Sequence, residues 1–450
     1  MYLPHTDAER EAMLKAIGVK SIEELFRDVP ESYRFPKLDL PSGLTEMETI
    51  ANLQDLANGN ETTQDLLSFL GAGSYNHFVP SAIGALISRG EFLSAYTPYQ
   101  PEISQGTLQA IYEYQSLVTA LTGMEVSNAS HYDGATAVAE AVNMAYANFR
   151  GKRTKVVLSA ALHPQYVETV QTYVTGSPIV LAGVGEDPLN TPDSLLPMID
   201  KNTALVVVQY PDFFGRIYDY RKLIETAHQS GALVCVSVNP IALGLLTPPG
   251  EMGADIVTGE GQPLGIPMAF GGPYLGIFTT KMEFVRKMAG RLVGETVDGK
   301  GRKGFVLTLT AREQHIRREK ATSNICSNQG LMALSAAIYL SLVGKAGLRE
   351  VAELCYHKAH FTASEIAKLD GFKLVESAPF FHEFVVEAPI PAAELNARLL
   401  DHGIIGGYAL SEAYPNRLEM ANRLLVAVTE MNSREQIDTL LEILDEVCHE

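Results

Sequence analysis

The sequence predicts an α/β fold: a mostly parallel sheet with helices on both faces, an N-terminal helical arm, and a small C-terminal α+β domain. Three observations carry this prediction. Between about residues 70 and 310, short apolar runs alternate with amphipathic stretches. Three helix-start signatures crowd into the first fifty or so residues. After a long apolar stretch beginning near Gln329, strands and helices follow in a different order. The domains expected are a helical arm over 1–69, a large domain over 70–330, and a long helix with the small domain over 331–450.

In the arm, Thr6 with Glu9, Ser21 with Glu24, and Thr45 with Glu48 have capping-box spacing, in which the hydroxyl accepts from a backbone N–H three residues on and the glutamate reaches back to the cap. Pro30, Pro36 and Pro41 keep these helices short. Such a segment buries little alone and is expected to lie across another surface, of this chain or a partner. Helical stretches follow at 107–121 and 135–149. Strands are expected at 155–158, 179–181, 204–208, 232–236 and 254–257, with helices from Pro164 and over 220–229. The apolar stretch Leu331 to Val343, which contains Ser335 and Ser341, is too short to cross a bilayer and reads as a buried helix. Beyond it come helix 348–369, strands 372–375 and 383–386, helix 392–402, strand 424–428 and helix 433–448.

The totals narrow the partners. The chain has 450 residues, and its net charge of −18 opposes a nucleic acid. The first residues lack the basic and apolar regions of a signal peptide, so neither export nor a membrane is expected. Cys235, Cys326, Cys355 and Cys448 are widely spaced, which favours reduced thiols in the cytoplasm and argues against a zinc site.

Several segments suggest chemistry. Gly259-Glu260-Gly261-Gln262-Pro263-Leu264-Gly265 follows a strand like a phosphate loop, but its spacing is wrong for a dinucleotide fingerprint and it lacks the Lys-Ser/Thr of a P-loop. The run 97–106, with Pro98 and Pro101 among Tyr99, Gln100 and Glu102, is a stiff loop that can hold polar groups still ahead of a helix; it can equally be a surface connection. Residues 281–320 hold 11 basic and 5 acidic residues, a balance of +6 that leaves −24 for the rest. A cationic segment in an acidic chain suggests an anion contact, although a solvated face would look the same. His163 follows the strand 155–158, at the sheet edge where ligands of open α/β sheets bind.

Taken together, Tyr96 to Gly106, Phe270-Gly271-Gly272-Pro273, Arg312 to Cys326, Pro248 to Glu251 and Gly253 to Ile256 resemble the N-terminal half of glycine decarboxylase, the P-protein of the glycine cleavage system. The resemblance runs over essentially the whole chain. It implies fold type I of the pyridoxal-phosphate (PLP) enzymes. It further implies the separate first subunit of the split form, paired with a homologous second subunit as a heterotetramer.

Chemistry of this kind needs a lysine for a Schiff base and an acid opposite the pyridine nitrogen. At the expected acid position this sequence has Ser237, and near the lysine position it has Gln262. No internal lysine bond is therefore expected here, and PLP is expected to be covalently held by the partner. By the resemblance, the complex decarboxylates glycine and passes the aminomethyl group to the lipoyl arm of the H-protein. Residues expected to reach a shared pocket are Tyr96, Thr97, Tyr99, Gln100, Glu102 and His163. Arg312, His315, Arg317, Arg318 and Asn324 are the expected anion or carrier contacts. Two other readings stay open: a self-sufficient enzyme using Lys303 or Lys320, and a purely structural subunit.

Overall fold

The computed structural model describes residues 4–93, 98–321, 323, 325, 329–375 and 378–449, with backbone alone for Arg312, His315 and His449. The chain forms two compact units, Met1–Glu61 and Thr62–Glu450.

The first unit holds helices α1 (Asp7–Ile17) and α2 (Glu46–Ala57), each opened by the expected capping box, and neither buries a residue. The box expected at Ser21 does not form. A 3-10 turn, Glu23–Phe26, stands there, with Ile22 at its cap and no side-chain cap bond. Pro30 limits a helix here to about two turns, and with no residue buried nothing offsets the cost of nucleating it.

The second unit opens with β1 (Leu67–Ser68) and short helices α3 (Ser81–Ile87) and α4 (Gly90–Leu93). Helix α5 (Gln105–Thr122), strand β2 (Val126–Ser127) and helix α6 (Gly134–Asn148) follow. Then β3 (Lys155–Leu158), α7 (Pro164–Val174), β4 (Val180–Ala182), β5 (Thr203–Tyr210), α8 (Arg221–Gln229), β6 (Leu233–Val238), α9 (Pro249–Met252) and β7 (Ile256–Glu260) alternate as expected.

Strand β8 (Gly276–Thr280) turns back and completes a seven-stranded sheet of order β2-β8-β7-β6-β5-β3-β4. Strands β4, β3, β5, β6 and β7 run parallel, while β8 is antiparallel to both its neighbours. The central strands are buried on both faces, which is why they read as unbroken Val/Ile/Leu runs. One face packs α6 and α7 against Val156, Leu158, Leu205 and Val207. The other packs α8 against Val206, Val208, Val234 and Val236.

An antiparallel hairpin, β9 (Leu292–Val297) and β10 (Lys303–Thr308), was not expected, nor were the edge strand β2 and its neighbour β8. Helix α10 (Gln314–Arg317) then leads to α11 (Gly330–Ile366). This joins the two helices expected at 331–343 and 348–369, broken where Gly344 adopts φ 58°. Ala333, Ala336 and Leu340 of its first part are buried against Ile83 and Tyr114, as the reading of 331–343 anticipated.

The C-terminal portion adds β11 (Lys373–Leu374), β12 (Glu383–Glu387), α12 (Ala392–Asp401), β13 (Ile404–Ile405), β14 (Tyr408–Ala409), α13 (Leu410–Ala413), β15 (Arg423–Ala427) and α14 (Arg434–His449). Strands β11, β12, β15 and β14 form a four-stranded antiparallel sheet over α12 and α14, and β1 pairs in parallel with β13.

Candidate functional site

The carboxyl ends of β3, β5, β6 and β7 meet at a small cavity of about 30 Å³. Its lining includes Tyr75, His163, Tyr166, Gln209, Ser237 and Glu260. Space of that order holds a water or two. Ser237 and His163 thus lie where the sequence placed them, at the edge where ligands of such sheets bind.

His163 is not free for chemistry. Its Nε2–H donates to the Ala72 carbonyl at 2.8 Å, and its Nδ1 accepts from the Gln165 N–H at 3.2 Å, capping α7. Its ring stacks on Tyr166 at 4.8 Å. Burial holds its pKa below the ordinary histidine value.

Gln262 is 1% exposed and fully engaged. Its Oε1 accepts from the Tyr75 N–H at 3.0 Å, while its Nε2 donates to the carbonyls of Tyr75 at 3.0 Å and Ile266 at 2.8 Å. The amide thus clasps both sides of one residue, as a neighbouring strand would.

Tyr75 belongs to a segment, 72–78, drawn across the sheet edge by buried side chains. Glu383 accepts from the Ala72 N–H at 2.7 Å and from the Tyr75 hydroxyl at 2.8 Å. Glu430 accepts from the Phe78 N–H at 2.7 Å and pairs with His77 Nδ1 at 2.7 Å. Cys355 Sγ donates to the same Glu430 carboxylate at 3.3 Å. Among the described residues, His77, Cys355 and Glu430 are the group with metal-ligand chemistry, but each spends its ligand atom on another of the three.

Glu260 closes the remaining side. Its Oε2 accepts from the Gly134 N–H at 2.9 Å, and its Oε1 from the N–H groups of Gln262 at 2.9 Å and Leu275 at 3.1 Å. Burial pushes this carboxyl above its ordinary range, and the three donors pull against that shift. Only glycine fits at position 134, because a Cβ there would overlap the Tyr166 hydroxyl and approach the Glu260 nitrogen at 3.0 Å.

This arrangement does not fit PLP. The lysine position is an amide whose hydrogen bonds are spent on backbone, and the acid position is Ser237. The segment 259–265, which resembled a phosphate loop, supplies the Glu260 carboxyl group, and its own Gln262 N–H is spent on that group. The sequence reading passed over Glu260, because its partner Gly134 lies 126 residues away.

The other expected residues gather elsewhere. Tyr99, Gln100 and Glu102 are exposed on the loop before α5. Arg291 donates to the Tyr99 hydroxyl at 3.0 Å and pairs with Glu313 at 3.3 Å, so the two motifs meet on an arginine that the sequence reading missed. A lone arginine between two motifs carries no sequence signal.

Gln105 ties the same loop to β10 through the Phe305 N–H and carbonyl, both at 2.8 Å. Arg317 and Arg318 are exposed. Ser323 donates to the buried Glu140 of α6 at 2.5 Å. Glu140 lies six residues along α6 from Gly134, about 9 Å by helical rise. Tyr96, Thr97 and Asn324 lie outside the described residues, as do the side chains of Arg312 and His315. Lys303 is exposed on the hairpin and paired with Glu295 at 2.7 Å, and Lys320 is exposed.

A mostly parallel seven-stranded sheet, closed at its carboxyl edge and joined to an antiparallel sheet, has the architecture of fold type I of the PLP-dependent enzymes. The fold alone is shared with glutamate decarboxylase of Lactobacillus brevis, with TM-score 0.68, 15% identity, and 94% of this chain and 97% of that one covered. It is likewise shared with a cysteine desulfurase of Thermococcus onnurineus, with TM-score 0.63, 17% identity, and 91% and 100% covered.

The crystal structure of glycine decarboxylase (P-protein) of the glycine cleavage system, in inhibitor-bound form, matches with TM-score 0.91 at 43% identity, covering 99% of this chain and 100% of that one. The probable glycine dehydrogenase (decarboxylating) subunit 1 of Thermomicrobium roseum is 55% identical over 448 residues, 99% of each chain. That of Chloroherpeton thalassium is 51% identical over 453 residues, 99% of this chain and all of its own. Residues 1–444 match the family described as glycine cleavage system P-protein, and the chain belongs to that family.

Proposed function

We propose that this chain is the first subunit of a two-chain glycine dehydrogenase (decarboxylating), and that it completes a PLP site whose lysine is carried by a homologous second chain. The observation that carries this reading is Gln262. At the lysine position stands a buried amide that cannot form an imine and whose three hydrogen bonds are spent on backbone. The relatives named subunit 1, matched over their full length, support the pairing.

In this reading the cofactor, when bound to the partner, supplies the electron sink for loss of CO2 from glycine. This chain supplies position and charge. Tyr99, Gln100 and Glu102, with Tyr96 and Thr97, are assigned to the shared pocket in this reading. Arg317 and Arg318, with Arg312, His315 and Asn324, receive an anion, either the glycine carboxylate or an acidic surface of the lipoyl-carrying H-protein. Arg291, held between Tyr99 and Glu313, positions both segments. The buried thiols Cys235 and Cys355 and the free Cys448 suit a reducing cytoplasm.

Glycine–bicarbonate exchange with H-protein present tests the proposal. The chain alone is expected to be inactive, and the mixture with the lysine-bearing chain active. Activity from this chain alone would overturn the reading. In the mixture, Arg317→Ala is expected to raise KM for glycine or for H-protein about tenfold, the loss of one charge-assisted contact. Unchanged kinetics would remove Arg317 from the site.

A further inference from the structure

We propose that the N-terminus of α6 is an anion site occupied by the chain's own Glu260 carboxyl group, and that this occupant excludes phosphorylated ligands from the chain's own sheet edge. The inference deepens the preceding reading and rests on it. It adds a reason for the empty cofactor role that is separate from the missing lysine.

A helix start offers unpaired N–H groups and a favourable dipole, which is why phosphates bind there. Helix α6 has 15 residues, and two carboxyl groups of this chain serve its first turn. Asp133 accepts from the Thr136 N–H at 2.7 Å as the cap. Glu260 accepts from the Gly134 N–H, and its other oxygen takes the N–H groups of Gln262 and Leu275. Three backbone donors from three separate segments thus converge on one group. That is the donor set a phosphoryl group needs, and here a side chain of the same protein has taken it.

The surroundings agree. Gly134 is held without a Cβ by the close approach of Tyr166 and Glu260, so the cradle is narrow. Tyr166 and His163 wall the adjoining cavity, and Glu260 lines it. Removing the Glu260 side chain joins its volume to that cavity and frees three inward N–H groups. The ligand class such a cradle takes is inorganic phosphate or a phosphate monoester.

The test is equilibrium dialysis of the full chain against labelled inorganic phosphate, then against pyridoxal phosphate and against pyridoxal. Wild type is expected to take up none of the three. Glu260→Ala is expected to bind phosphate and pyridoxal phosphate, but not pyridoxal, with affinity at least about 100-fold above wild type, the worth of two charge-assisted hydrogen bonds. Uptake of phosphate by wild type equal to that of the variant, or no uptake by the folded variant, overturns the inference.

Glu260→Ser, which leaves a hydroxyl acceptor for the Gly134 N–H, is the second variant. If neither variant folds without phosphate, recovery of folding in phosphate supports the site, and failure in both buffers overturns it. A stoichiometric, borohydride-stable pyridoxyl adduct at one lysine of the wild-type chain is a different failure. It would overturn the functional reading, whereas variants that take up no phosphate overturn only this inference.

Discussion

Arg216→Ala is expected to destabilise the chain by about 3–5 kcal/mol, the usual cost of stripping one partner from a buried ion pair. The turn after β5 is built around this arginine. Its Nε donates to Asp212 at 2.8 Å, and its two terminal nitrogens donate to the carbonyls of Leu189 and Pro188, each at 2.8 Å. Asp212 also receives the N–H groups of Phe214 and Arg216 at 3.0 Å. Both side chains are about 5% exposed or less, so water cannot replace the lost guanidinium.

Burial already lifts the Asp212 carboxyl to about 6, with Arg216 acting against it. A carboxyl raised above its unfolded value keeps its proton longer in the folded chain, so its contribution weakens as pH climbs from 3.8 to about 6. Without Arg216 that window extends upward, and the deficit of the variant should grow from acidic to neutral pH. Thermal unfolding of both proteins across that range is the measurement. A loss under about 1 kcal/mol, or one independent of pH, would show that the turn does not depend on the pair.

Gln262→Lys is the second large effect, and it runs against the simple idea that restoring the lysine restores the site. An ammonium can still donate to the carbonyls of Tyr75 and Ile266. While charged it cannot accept from the Tyr75 N–H, which is then left buried and unpaired. The alternative is to give up its proton and accept that bond as a neutral amine, which costs the free energy of deprotonating a lysine, or else to stay charged in a position 1% exposed. A loss of about 2 kcal/mol or more is expected, with a lower Tm. Borohydride reduction after incubation with pyridoxal phosphate, followed by peptide mass analysis, should find no pyridoxyl group at position 262. An adduct there would mean that segment 72–78 yields to the cofactor.

Much of this molecule was legible from sequence because the physics is local. Strands buried on both faces must be apolar and favour β-branched side chains, so 155–158 and 204–208 were read close to β3 and β5. Capping boxes act over three residues, and those at Thr6 and Thr45 formed. The absence of a lysine near position 262 needed no structure at all.

What escaped the reading is non-local or weakly patterned. The β9–β10 hairpin turns at Asp298-Gly299-Lys300-Gly301, a turn signal that could have exposed it, but its outer strand residues are polar. The bonds from Glu383 and Glu430 to segment 72–78 span more than 300 residues, and nothing in 72–78 announces a plug. The position of Gln262 was anticipated, but its role as a clasp became visible only once Tyr75 lay beside it.

The same clasp has a mechanical meaning. Segment 72–78 is gripped by Gln262 just beyond β7 and His163 at the start of α7, by Glu383 from the four-stranded sheet, and by Glu430 just beyond β15. Swinging one sheet against the other would break these bonds together, and the one from Tyr75 to Gln262 would be broken in the buried interior, where its partners are left unpaired. A pocket that needs to admit a substrate must be able to open. This one has become a rivet, and the two sheets it joins form a single stiff frame.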